Sequence, residues 1–127
     1  MGRPDLPANS GGVNSVNLIG RLVDDPAVRA AATGERECAM RVAIPRVGPA
    51  GRPEPGVVYV DVVAGGVRAR DLAEELRGGM RVGVSGRLEL DEWVEPGGER
   101  RARYEVMADQ LEVLDPRPPG PPRATGA

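Results

Sequence analysis

The chain has 127 residues, 40% hydrophobic and 28% charged, which suits a single domain with its own core and short flanking segments. It has no histidine and one cysteine, Cys38, which excludes an internal disulfide, deprives a zinc site of its usual ligands and removes the commonest general base. All 17 basic residues are arginine against 19 acids, a formal net charge of -2, whereas a nucleic-acid binder ordinarily carries a basic excess. No apolar run reaches the ~20 residues of a membrane-crossing helix. The first residues lack the apolar stretch of a secretory signal, so a cytoplasmic chain without membrane attachment is expected.

Residues 1–12, with Pro4, Pro7, Gly11 and Gly12, read as a flexible leader. In the first strand Val16, Leu18 and Leu22 alternate with Asn17, Ile19 and Arg21, the period of a half-buried strand. Gly20 inside it marks a bulge or bend of the kind that turns the corner of a small barrel, and Asp25-Pro26 stops it. A connection through Ala30 to Gly34 leads to a second strand from Glu37 to Ile44. Cys38, Met40, Val42 and Ile44 share one of its faces, and Glu37, Ala39, Arg41 and Ala43 the other; Pro45 is expected to end it. Val47 to Gly56, with Pro49, Pro53 and Pro55, reads as a loop too long for a tight hairpin and thus a mobile finger.

A third strand runs from Val57 to Ala64 and breaks at Gly65-Gly66. Ala69, Leu72, Ala73 and Leu76 then recur at helical spacing, before a stop at Gly78-Gly79. A fourth strand from Met80 to Leu90 turns Val82, Val84, Leu88 and Leu90 inward, and after a Pro96-Gly97-Gly98 turn a fifth returns through Tyr104 and Val106 to Leu114. Three strands, a short helix and a two-strand hairpin make the chain order of an all-β OB-fold, a five-stranded Greek-key barrel over residues 13–114 with the helix between strands three and four. Residues 115–127, dense in proline, are expected to form a disordered tail.

Such a barrel binds unpaired strands by stacking bases on aromatic rings and tracking phosphates with cations. Rings are few here: Trp93, Tyr59 and Tyr104, with no phenylalanine. Trp93 sits on a charged hairpin, where it either stacks a base or folds over the barrel end or a subunit contact. Tyr59 has Val57, Asp61 and Val63 on its face, neither clearly wet nor clearly dry; Tyr104 reads as structural. Arg21, Arg41 and Arg87 fall on outward phases, as ordinary solvated arginines also do. Arg100, Arg101 and Arg103 lie across the turn from Trp93, which suits a phosphate clamp, but Glu95 and Glu99 could pair with them and cancel their field. Cys38 reads as a small buried apolar group, and no convergent set of acids for a metal or a nuclease centre is apparent, so no cofactor is expected.

The opening Asn14-x-Val16-x-Leu18-Ile19-Gly20-x-Leu22, with Asp25-Pro26 and Arg29, resembles the start of bacterial single-stranded DNA-binding proteins. Further blocks extend the resemblance to Leu114: Tyr59-Val-Asp-Val-Val63, Leu76-x-Gly-Gly79, Val82-x-Val-x-Gly-Arg-Leu88, Trp93, Gly97-x-x-Arg-Arg101 and Glu105-Val-x-Ala-Asp109. The resemblance implies an OB-fold that assembles as a homotetramer, binds single-stranded DNA without sequence preference in replication, recombination or repair, and is not an enzyme. Under it Tyr59 and Trp93 fall at stacking positions and Arg101 at a basic hairpin position. The chain departs from the pattern near Val47-Gly48 and at Gly65, where aromatics are missing, and at Glu89, Asp91 and Glu92 beside the tryptophan. The acidic tip that recruits repair and replication enzymes is replaced by Arg123 to Ala127. These departures favour a divergent, auxiliary relative. The alternative is an interaction subunit that has lost most DNA binding and assembles with a fuller relative.

Overall fold

The computed structural model describes residues 11–31 and 33–115; the expected leader through residue 10 and the expected tail from residue 116 lie outside the described residues. Six strands form one sheet: β1 (Val16–Leu22), β2 (Ala27–Ala30), β3 (Arg36–Val47), β4 (Pro53–Gly65), β5 (Arg81–Val94) and β6 (Arg100–Val113), with α1 (Ala69–Glu75) between β4 and β5. The strand order is β1-β5-β6-β4-β3-β2, and β1 also pairs with β3, so β1, β3, β4, β5 and β6 close into a five-stranded barrel. All pairs are antiparallel except β4 with β6, where Val62 lies beside Val106 and Val63 beside Met107. This is the expected OB-fold, with the helix where the periodicity placed it.

Closure depends on Gly20. β1 pairs with β5 from Val16 to Arg21 and passes to β3 at Arg21 and Leu22. A Cβ at Gly20 would collide with the Ala43 carbonyl oxygen and the Val42 side chain, so only glycine lets the two backbones come this close. Inside the barrel Leu22, Cys38, Met40, Val42, Val62, Val82, Val84 and Val106 pack together, and α1 closes one end with Ala69, Leu72 and Leu76. The helix stops at Glu75, before Gly78-Gly79, because Leu76 turns to an extended conformation and its side chain is fully buried.

Three boundaries depart from expectation. The connection after β1 contains β2, a four-residue strand whose Ala27 to Ala30 pair with Ala39 to Arg36 of β3. Too short for a periodic signal, it forms a hairpin with the start of β3. Pro45 does not end β3, which continues to Val47 where β4 is its single neighbour and a missing N–H costs no ladder bond on the open side. The anticipated finger is therefore a tight connection: Val47 pairs with Pro53, and the Gly48 amide donates to the Arg52 carbonyl at 2.7 Å around a short 3-10 turn at Pro49–Gly51. Finally, the β5–β6 hairpin stays paired from Val82/Val113 to Val94/Arg100, so it projects past the barrel as an arm. Leu88 and Leu90 share the phase of buried Val82 and Val84 yet are 44% and 39% exposed, because the core ends before the arm does.

β2 is also tied down by charge. Arg29 donates through Nε to Glu37 Oε2 at 2.8 Å and through Nη2 to Glu105 Oε2 at 2.9 Å, linking β2, β3 and β6. Partial burial works against the Arg29 charge, but its hydrogen bonds to Glu105 and Glu37 outweigh this and raise its pKa above the ordinary value.

Gly20→Ala forces β1 away from β3 and should lower unfolding free energy by about 1–3 kcal/mol, read as a reduced urea midpoint. Arg29→Ala leaves the buried Glu105 carboxylate short of a donor and should cost about 1–3 kcal/mol in the same measurement.

Candidate nucleic-acid interface

Side-chain alternation and register put the proposed contacts on one face of the barrel. Arg41 of β3 lies across from Asp61 of β4, two residues beyond Tyr59 on the same phase. Val63, on that phase too, sits beside Met107, which fixes Arg101, Arg103 and Glu105 of β6 on this face. Across the hairpin Arg101 faces Trp93 and Arg103 faces Asp91.

Each of the two rings carries a guanidinium. Arg41 Cζ is 5.0 Å from the Tyr59 ring centroid, and Arg103 Cζ is 5.4 Å from that of Trp93, both within cation–π range. Tyr59 is 54% exposed and Trp93 38%, so neither is taken into the core. The two arginines of these pairs, Arg41 and Arg103, line a hollow of about 220 Å³ together with Arg29, Asp61, Val63 and Glu105 among others. Such an arrangement offers flat apolar surface to bases and guanidinium donors to phosphates.

Carboxylates already occupy most of those donors. Glu95 Oε2 accepts from Trp93 Nε1 at 3.0 Å and lies 3.6 Å from Arg101 Nε, while Arg101 Nη2 donates to Glu99 Oε1 at 3.0 Å. Arg103 Nη2 is 3.3 Å from Glu105 Oε2, and its Nε is 3.8 Å from Asp91 Oδ2. Glu95 and Glu99 therefore pair with Arg101 alone, while Arg103 is taken up by Asp91 and Glu105 and Arg100 has no ion pair among the described residues. On this face Arg41 alone has no ion-pair partner among the described residues.

Three of the expected arginines lie elsewhere. Arg87 shares the face but sits six residues back along β5, roughly 20 Å from Trp93, and donates to Glu89 at 2.8 Å and Asp109 at 3.0 Å. Its pKa is raised, chiefly by the bond to Glu89. Arg100 pairs with Val94 and projects from the opposite side of the arm from Trp93. Arg21 donates to the Gly79 carbonyl at 2.9 Å and lies 3.6 Å from Asp115, which binds β1 to the segments before β5 and after β6. Tyr104, expected to be structural, stands across from Leu90 on that opposite side and is 65% exposed, outside the core.

Sequence reasoning placed Asp61 beside Tyr59 and quoted Arg29 and Glu105 within motif blocks, but gave none of the three a role in the site. They meet through pairing between strands far apart in the chain. Among the described residues no cluster of His, Cys, Asp and Glu could hold a metal ion, and no helix is long and apolar enough to cross a membrane. Cys38 is fully buried, and burial pushes its thiol pKa up.

Comparison with known proteins agrees with this architecture. The model of the Single-strand binding protein family matches residues 13–114. Single-stranded DNA-binding protein 1 of Clostridium acetobutylicum is 28% identical over 104 residues, covering 81% of this chain and 94% of that protein. The single-stranded DNA-binding protein of Thermosynechococcus vestitus is 26% identical over 117 residues, covering 91% and 94% respectively. That of Helicobacter hepaticus is 29% identical over 109 residues, covering 84% of this chain and 64% of its own. Among solved structures, the Plasmodium falciparum SSB complex with ssDNA superposes with a TM-score of 0.67 at 22% identity, covering 84% of this chain and 99% of that one, a likeness of fold. With a closed five-strand barrel and a family match that spans it from β1 to the end of β6, this chain belongs to the single-strand binding protein family.

Proposed function

We propose that this chain binds single-stranded DNA with broad sequence tolerance, stacking bases on Trp93 and Tyr59 while Arg41, Arg101 and Arg103 contact phosphates. One observation carries the reading: two exposed rings on one face, each backed by a guanidinium, with both guanidiniums lining a common hollow. Base–aromatic stacking contributes ~1–3 kcal/mol per base and is indifferent to base identity. The names of the relatives support the ligand, and replication, recombination or repair are the settings in which such binding acts. Residues 13–114 would form the binding domain, working in the cytoplasm on unpaired DNA as a binder and not a catalyst.

Self-assembly is part of the reading. Between Val16 and Ile19, β1 pairs with β5 on one side and with no described strand on the other, and Ile19 is exposed. An open strand edge beside an exposed isoleucine supports a homo-oligomer, the tetramer of the family resemblance being the expected form. The competing reading, a subunit that no longer binds DNA, draws on the internal pairing of Arg101 and Arg103.

Oligothymidine should quench the emission of Trp93, the sole tryptophan, and rising salt should reverse the quench; unchanged emission with micromolar protein at low salt would support the competing reading instead. For Trp93→Ala, binding followed by the anisotropy of a labelled strand should weaken about fivefold to a hundredfold. Glu95→Gln removes the carboxylate that holds both the Trp93 indole and Arg101. It should tighten binding by roughly twofold to tenfold at low salt and steepen the salt dependence.

A further inference from the structure

We propose that Asp61 reads the edge of a base that reaches the hollow lined by Arg41 and Arg103, favouring bases that carry an exocyclic amine over thymine. The inference rests on the single-strand binding reading above and adds to it a base preference at one subsite.

Asp61 is half-buried on the binding face, directly across from Arg41 in the β3–β4 ladder and lining the hollow. Of the other acids lining that hollow, Glu105 is held by Arg29 and Arg103, Asp25 accepts from the Gly78 amide, and Asp24 is exposed in the connection after β1. The Asp61 carboxylate forms no hydrogen bond or ion pair with a described residue, although Arg29, Arg41 and Arg103 line the same hollow. At about 220 Å³ the hollow is smaller than the ~300 Å³ at which pockets for drug-sized molecules begin, so it suits one base edge and not a whole nucleotide.

A carboxylate accepts hydrogen bonds and cannot donate. Cytosine, adenine and guanine each bring an amine that satisfies it, and the neighbouring Arg41 can donate to an acceptor beside that amine, such as cytosine N3. Thymine has a single donor, N3–H, flanked by two carbonyl oxygens. Its N3–H reaches the carboxylate only with a ring carbonyl oxygen brought against the second carboxylate oxygen, so Asp61 gains less from thymine than from an exocyclic amine. Stacking on Trp93 and Tyr59 is blind to this difference, so the discrimination arises at Asp61.

The test compares oligothymidine with oligo-5-methyldeoxycytidine of equal length. These share the ring methyl and O2 and differ in the amine or oxygen at position four and in the proton on N3. Titrations of the full chain, read by Trp93 quenching and by strand anisotropy, should give roughly threefold to tenfold tighter binding of the methylcytidine strand. In Asp61→Asn, whose amide both donates and accepts, the ratio should collapse towards one, with thymidine binding improved. Asp61→Ser provides a second variant, and far-UV circular dichroism checks that each variant folds. Equal wild-type affinities, or an unchanged ratio in a folded variant, overturn the assignment while leaving single-strand binding intact. Absence of binding to either strand overturns both. Because the wild-type comparison is itself decisive, a variant that fails to fold does not protect the proposal.

Discussion

Everything on the face that carries Tyr59 and Trp93 depends on the approach of β1 to β3 at Gly20. That contact lets one strand pair with β5 along most of its length and with β3 at its end, which turns an open sheet into a barrel. Closure fixes the order of β3, β4, β6 and β5 around the wall. Only in that order do Arg41, Asp61 and Tyr59 share a surface with Trp93 and Arg103. The mostly aliphatic core and the fully buried Leu76 at the end of α1 make the wall rigid enough to hold the register.

The electrostatics of this face differ from those of a simple basic groove. Arg29 and Arg103 converge on Glu105, and Arg101 is shared by Glu95 and Glu99. A phosphate that takes up one of these guanidiniums replaces a carboxylate, so the net electrostatic gain is smaller than for a solvated arginine. With a chain charge of -2, the proposed contacts rest on stacking more than on charge. The same pairs also hold the long β5–β6 arm in shape, since Arg101 and Arg103 bridge to acids on both of its strands and its turn.

The two stacked pairs do separate work. Arg41, without an ion-pair partner among the described residues, can leave the Tyr59 ring for a phosphate at little cost. Arg103 is held by Glu105 and Asp91 as well as by Trp93, which makes it a brace for the indole as much as a donor to DNA.

Much of this molecule was legible in the chain itself. Period-two alternation with Gly20, Pro and Gly-Gly breaks carried the strands, the helix and the barrel, because those signals act between near neighbours. Trp93 stood out as the sole tryptophan, set on a charged hairpin, and its exposure follows from that setting. Less legible were β2, the continuation of β3 through Pro45, and the exposure of Leu88 and Leu90, each settled by what packs or pairs alongside and not by the local pattern. The arginines divide in the same way. Outward phase was readable for Arg21, Arg87 and Arg100, yet which face and which partner each meets was not. Local sequence determined the elements and the chemistry they carry. Tertiary structure alone decided that Arg29, Asp61, Glu105 and Arg103 meet around one hollow, because cross-strand register couples residues up to 76 positions apart and no local pattern encodes it.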